Sequence, residues 1–125
     1  MILDTNALSA LADGDEKVAA HLDDDPLPAV PVIVLGEYRY GIRESRHRAD
    51  YESWLSENLV RYAVLPVDAA TATVYADLRQ ELKTLGKPIP ENDIWIAALA
   101  RQHRLPVLSR DQHFSFVPKL LHLSW

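Results

Sequence analysis

The feature that most constrains this chain is an alternation. Short apolar runs that read as strands recur between segments with helical spacing, from one end of the chain to the other. Ile2-Leu3 opens the series, followed by a helix over 6–12 and another over 15–24 in which Val18, Ala19 and Leu22 share a face. Leu27 to Val30 reads as the second strand, and Pro31 suits the first turn of a helix that carries Val34, Leu35, Tyr38 and Ile42. A further helix spans about 48–59, and Tyr62 to Leu65 is the third strand. Asp68 is placed to cap the next helix, which Gly86 ends. Asp93 is placed to open and cap the compact apolar helix "IWIAALARQH". Pro106-Val107-Leu108 and Leu120 to Leu123 complete the set of strands. Alternating strands and helices predict an α/β domain, a three-layer sandwich around a mostly parallel central sheet. The length of 125 residues suits one domain with one core.

Composition narrows the function classes. Hydrophobic residues make up 48% of the chain, which supports a packed core and speaks against disorder. The chain contains no cysteine, which excludes thiol catalysis, a disulfide framework and a cysteine-ligated zinc site. No apolar run reaches the roughly 20 residues a membrane span needs, and no signal peptide is visible. A cytoplasmic protein is the natural expectation. The formal net charge of −5 opposes nucleic-acid binding if the acids are spread evenly. Gathered in one place, acids instead bind divalent cations, which offset them.

The predicted topology gathers them. In open parallel sheets, ligands bind outside the carboxyl ends of the strands. Asp4 follows the first strand directly, and Asp111 follows "PVL" with Ser109 and Arg110 between. Asp93 opens a helix packed on the sheet, and Glu37 lies in the early turns of the helix after the second strand. Taken singly, each has an ordinary reading. Asn6 or Asp4 caps a helix, Asp93 caps another, Glu37 is a polar position on an amphipathic helix, and Asp111 is a turn residue. Independent caps have no reason to collect at one end of one sheet. Clustered carboxylates raise one another's pKa or recruit a cation, and Mg²⁺ and Mn²⁺ prefer oxygen ligands. Such ions activate water and stabilise charge on a phosphate under attack.

Four stretches, "ILDTNALSAL", "VIVLGEYRYGI", "ENDIWIAALA" and "VLSRDQHF", carry these acids. In their order and approximate spacing the chain resembles the PIN-domain ribonucleases, and in particular the VapC-type toxins of bacterial toxin–antitoxin pairs. The resemblance covers essentially the whole chain and implies a single PIN-like domain over 1–125. It implies a metal-dependent endoribonuclease that hydrolyses RNA to leave a 5′-phosphate and a 3′-hydroxyl. Asp4 and Asp93 would be the principal ligands of Mg²⁺ or Mn²⁺. Glu37 would complete the acidic pocket, and Asp111 would hold water on the metal or a second ion. Asn6 and Ser109 would orient the carboxylates. A homodimer and a small inhibitory antitoxin are the implied protein partners. Glu91, two residues before Asp93, is left out of this set as an ordinary loop residue.

The basic residues are less distinctive. "YRYGIRESRHR" is the densest basic stretch. Its later arginines suit a solvated helix end, whereas Arg39 and Arg43, four apart after Glu37, are candidates for RNA phosphates or an acidic antitoxin segment. Arg110, beside Asp111, is a third candidate for phosphate contact. The five histidines show no zinc-like spacing, and His113 alone is close to an acid of the set. Trp95 is expected in the core. Two other classes compete with a nuclease: a phosphatase with an Asp nucleophile, and a non-enzymatic, receiver-like module with an acidic metal pocket. The phosphatase pairs two Asp residues two apart and uses a Lys, and the receiver also needs a Lys opposite its acids. Here the second position is Asn6, and no Lys lies near Asp93 or Ser109 in sequence.

Overall fold

The computed structural model describes residues 1–125. Its strands are β1 (Ile2–Leu3), β2 (Ala29–Pro31), β3 (Ala63–Leu65), β4 (Val107–Leu108) and β5 (His122–Leu123). Its α-helices are α1 (Thr5–Ala12), α2 (Glu16–Leu22), α3 (Val32–Gly41), α4 (Arg48–Asn58), α5 (Ala69–Thr84) and α6 (Glu91–His103), with short 3₁₀ turns at Leu59–Arg61 and Gln112–Phe116. All four strand pairings are parallel, in the order β3-β2-β1-β4-β5. Every residue of β1, β2 and β4 is buried, as expected of parallel strands covered by helices on both faces. The α/β sandwich expected from the alternation is therefore present, with an entirely parallel sheet.

The winding of this sheet fixes where a site can form. From β1 the chain moves outward through β2 to β3, then returns to lay β4 on the other side of β1. Ile2 and Leu3 pair in register with Val107 and Leu108, so the residues following β1 and β4 emerge side by side. That reversal opens a crevice at the carboxyl ends of the two strands.

Local sequence explains three of the helix ends. Asp68 caps α5 by accepting from the Thr71 N–H at 3.0 Å, while the Thr71 hydroxyl accepts from the Asp68 N–H, a reciprocal capping box. Gly86 follows α5 with φ +66, a left-handed conformation that a residue with a Cβ resists. Asp15 caps α2 through the N–H groups of Lys17 and Val18. In α6, Ile94, Ile96, Leu99 and the alanines at 97, 98 and 100 are all buried, so the helix is apolar on nearly every side and packs against α5, α3 and the 3₁₀ turn at Gln112–Phe116. No helix is long and apolar enough to cross a membrane.

Several local expectations are corrected. Pro31 ends β2 and occupies the cap position of α3 instead of its first turn. Asn6 does not cap α1. The helix begins at Thr5, Asp4 holds the cap position without a side-chain cap bond, and the Asn6 amide is drawn elsewhere. Asp93 does not open α6, which starts two residues earlier at Glu91. Its charge still lies in the first turn, where it suits the helix dipole. Trp95 is half-buried outside the main core, stacked on Tyr75 with ring centroids 3.8 Å apart.

Candidate active site

Asp4, Glu37, Asp93 and Asp111 all line one open groove of about 870 Å³ at the carboxyl ends of the strands. They arrive from four separate segments: the ends of β1 and β4, the middle of α3 and the first turn of α6. Asp4 and Asp93 are buried, at 4% and 9% exposure, while Glu37 and Asp111 are half-buried.

Asp4 is held by a network that crosses from β1 to β4. Its Oδ2 accepts from the Ser109 hydroxyl at 2.7 Å and from the Asn6 side-chain amide at 2.7 Å. Ser109 is fully buried, and its Oγ accepts in turn from Asn6 Nδ2 at 3.1 Å and from the Asp111 N–H at 2.9 Å. Asn6 Oδ1 accepts the Arg110 N–H at 2.9 Å. Each hydroxyl and amide position is thereby satisfied, and the strand-end loops are fixed to one another. His122 extends the support: its Nε2 lies 2.8 Å from the Ser109 carbonyl oxygen.

Glu37 is held by two residues that sequence reasoning did not single out. The Thr5 hydroxyl donates to Oε2, and the Asn92 amide donates to Oε1 at 2.6 Å. α1 and α6 therefore grip one carboxylate of α3. The signal was adjacency: Thr5 and Asn92 each neighbour a site acid in sequence. Glu91, left out of the set, points its carboxylate to Tyr75 and Arg79, away from these contacts.

Asp93 is the least compensated. Its Oδ2 is buried without a hydrogen-bond donor. Burial first, then the charges of Asp111 and Asp4, push its carboxyl up to about 7, with His113 pulling the other way. Burial also raises Asp4, against the lowering effect of the Ser109 hydrogen bond. A divalent cation relieves burial and repulsion together, and carboxylate oxygens are the donors that hard divalent ions take. The residues present therefore fit such an ion. The ligand atoms of Asp93, Asp111 and His113 lie within 4.8 Å of one another.

Of the three arginines considered, only Arg110 lines the groove. Its guanidinium pairs with Asp15 at 3.2 Å and stacks over the Trp125 ring at 4.4 Å. Arg39 pairs with Glu52 of α4 at 3.0 Å. Two residues after Glu37, it projects from nearly the opposite side of α3. Arg43 lies beyond the end of α3, not on the helix with Glu37. A larger cavity of about 1080 Å³, between α5, α6 and residues 117–121, contains none of the four acids.

Comparison with known proteins bears on the family and the fold. The chain is 33% identical to Ribonuclease VapC5 of Mycobacterium tuberculosis, over 91% of this chain and 84% of that protein. It is 35% identical to Toxin FitB of Neisseria gonorrhoeae, over 89% of this chain and 87% of that protein. The fold superimposes with a TM-score of 0.89 on a structure of VapBC2 from Rickettsia felis bound to a promoter DNA fragment, at 26% identity, covering 99% of this chain and 97% of the other. The PIN-domain family model matches residues 1–120. With acids gathered at the switch point of a parallel sheet and a family match over nearly its whole length, this chain belongs to the PIN-domain family.

Proposed function

We propose that residues 1–125 act as a single PIN-like catalytic domain, a Mg²⁺- or Mn²⁺-dependent endoribonuclease toxin held in check by a small antitoxin protein. The observation that carries this reading is the convergence of four carboxylates on one groove, with a buried Asp93 oxygen that no donor satisfies. The names of the relatives, a ribonuclease and a toxin, supply the substrate class and the biological role. RNA as substrate makes the cytoplasm the place of action.

Asp4 and Asp93 would hold the ion, with Glu37 and Asp111 completing its surroundings directly or through water. When bound there, a divalent ion lowers the pKa of water and offsets charge on the phosphate. The chain's own residues do the rest. Ser109 and Asn6 fix the Asp4 carboxylate, and Thr5 and Asn92 fix that of Glu37, so the acids need little rearrangement as substrate arrives. Arg110, on the groove wall, is the proposed phosphate contact. Arg39 and Arg43, outside the groove lining, are better suited to the antitoxin or a second copy of the chain in a homodimer. The phosphatase and receiver-like alternatives both need a lysine beside the acids, and none lines the groove.

The test is cleavage of RNA by the purified protein with Mg²⁺, with Mn²⁺ and with EDTA, beside Asp4→Asn and Asp93→Asn. Cleavage that needs the ion and is lost in both variants supports the reading. Equal activity in wild type and variants overturns it. Release of phosphate from a small phosphomonoester without RNA cleavage favours the phosphatase.

A further inference from the structure

His113 has no role among the four acids and their hydrogen-bonding supports, yet it faces two of those acids. Its Nδ1 lies 2.7 Å from Asp111 Oδ1 and 3.7 Å from Asp93 Oδ2. Neither approach has the direction of a hydrogen bond, and Nδ1 is buried without a partner. The Asp93 oxygen it faces is buried without a partner as well. Two unsatisfied polar atoms thus sit together behind the acids of a groove otherwise rich in hydrogen bonds. Buried polar atoms are rarely left in that state, so a missing partner that both share is the simplest account.

The missing partner must accept electron pairs from a carboxylate and an imidazole at once. Metal–ligand bonds of about 2.1 Å place neighbouring ligand atoms about 3 Å apart and opposite ones about 4 Å apart. The distances of 2.7 and 3.7 Å fall in this range with small side-chain adjustments. His113 is carried by the 3₁₀ turn after β4, which Asp111 caps by accepting the His113 N–H at 2.9 Å. The same two residues are therefore locked together by backbone and presented by side chain. Phe116 packs edge-on against the imidazole, with ring centroids 6.2 Å apart.

We propose that His113 Nδ1 is a direct ligand of a divalent cation, together with Asp93 Oδ2 and Asp111 Oδ1. This inference rests on the reading of the groove as a metal site, and it changes what that site selects. An all-oxygen set suits Mg²⁺. One imidazole among carboxylates shifts preference toward first-row transition ions, which bind nitrogen better than Mg²⁺ does. The chain therefore takes Mn²⁺ in preference to Mg²⁺ because of one residue two positions after Asp111.

A rival account makes His113 a protonated counter-ion that neutralises the acids in the absence of metal. The two accounts predict opposite signs. Removing a competing cation tightens metal binding, whereas removing a ligand weakens it. Mn²⁺ and Mg²⁺ binding would be measured by calorimetry on the full chain and on His113→Ala. The Mn²⁺-loaded wild type would also be examined by pulsed electron paramagnetic resonance for coupling to a ¹⁴N nucleus. The expected result is ¹⁴N coupling in the wild type, a loss of about 10-fold or more in Mn²⁺ affinity in the variant, and a loss of less than about 3-fold for Mg²⁺. The wild-type spectrum stands even if the variant folds poorly. Mn²⁺ binding without ¹⁴N coupling, or unchanged or tighter binding in His113→Ala, overturns the role of His113 and leaves the metal site standing. Failure of the wild type to bind either ion overturns the metal reading itself, and this inference with it.

Discussion

Asp93→Asn should make the metal-free protein more stable, although it removes a proposed metal ligand. Asp93 is buried beside Asp111, Asp4 and Glu37, and its carboxyl is raised from an ordinary 3.8 to about 7. A carboxyl raised by folding favours the protonated form in the native state. Its contribution to stability is complete below pH 3.8 and is lost as the pH rises through about 7. At pH 8 the metal-free wild type therefore carries the whole penalty. A rise of this size corresponds to about 4 kcal/mol at about 1.4 kcal/mol per tenfold change in proton affinity. The groove is open to water, which screens part of the repulsion, so about 2 kcal/mol is the recoverable share. Asparagine keeps the shape and removes the charge. In EDTA at pH 8 the variant should exceed wild type by about 2 kcal/mol, and the gap should close toward pH 4. Urea unfolding followed by tryptophan fluorescence at several pH values measures it. Saturating Mn²⁺ should shrink or reverse the gap, because an ion that binds only the folded wild type stabilises it by mass action. A variant no more stable than wild type at pH 8 in EDTA, or a gap independent of pH, would mean that the Asp93 charge does not destabilise the metal-free fold.

Other perturbations separate support from chemistry. Ser109→Ala strips donors and acceptors from Asp4, Asn6 and the Asp111 N–H at a fully buried position. It should cost about 1–3 kcal/mol in urea unfolding and lower the rate of RNA cleavage. Asn92→Ala releases one oxygen of Glu37. It should leave unfolding free energy within about 0.5 kcal/mol, since Asn92 is exposed, while reducing metal affinity or kcat/KM about 10-fold. Asp68→Ala removes the capping box of α5, far from the acids in the chain. It should lower stability by about 1 kcal/mol with the cleavage rate per folded molecule unchanged.

The parts of the site visible in the sequence were those set by topology. Asp4 and Asp111 were legible because the residue after a parallel strand must emerge at the carboxyl edge, whatever the details of packing. Asp93 was legible from its motif, though not as a helix opener, because Pro90 takes the cap position and starts α6 earlier. Thr5 and Asn92 were not read as partners of Glu37. Their meeting depends on how α1, α3 and α6 cross, and no spacing along the chain encodes that angle. His113 showed its closeness to Asp111 in sequence, but its closeness to Asp93 exists only once the 3₁₀ turn after β4 packs on α6. Arg39 lies away from the groove for a periodic reason: two residues on a helix turn a side chain through about 200°, so a residue two after Glu37 lies on another face. The inner strands β1, β2 and β4 were located to within a residue or two because both faces of the sheet are covered there, which makes each a continuous apolar run.

In the proposed reaction the four acids direct water, through a bound ion, onto an RNA phosphodiester. The most direct measurement is the mass of the products when a short RNA is cleaved by the Mn²⁺-loaded protein in H₂¹⁸O. The expected products are a 5′-phosphate carrying one ¹⁸O and a 3′-hydroxyl on the other fragment, with none from Asp4→Asn. A 2′,3′-cyclic phosphate, or cleavage undiminished in Asp4→Asn, would contradict the proposed reaction.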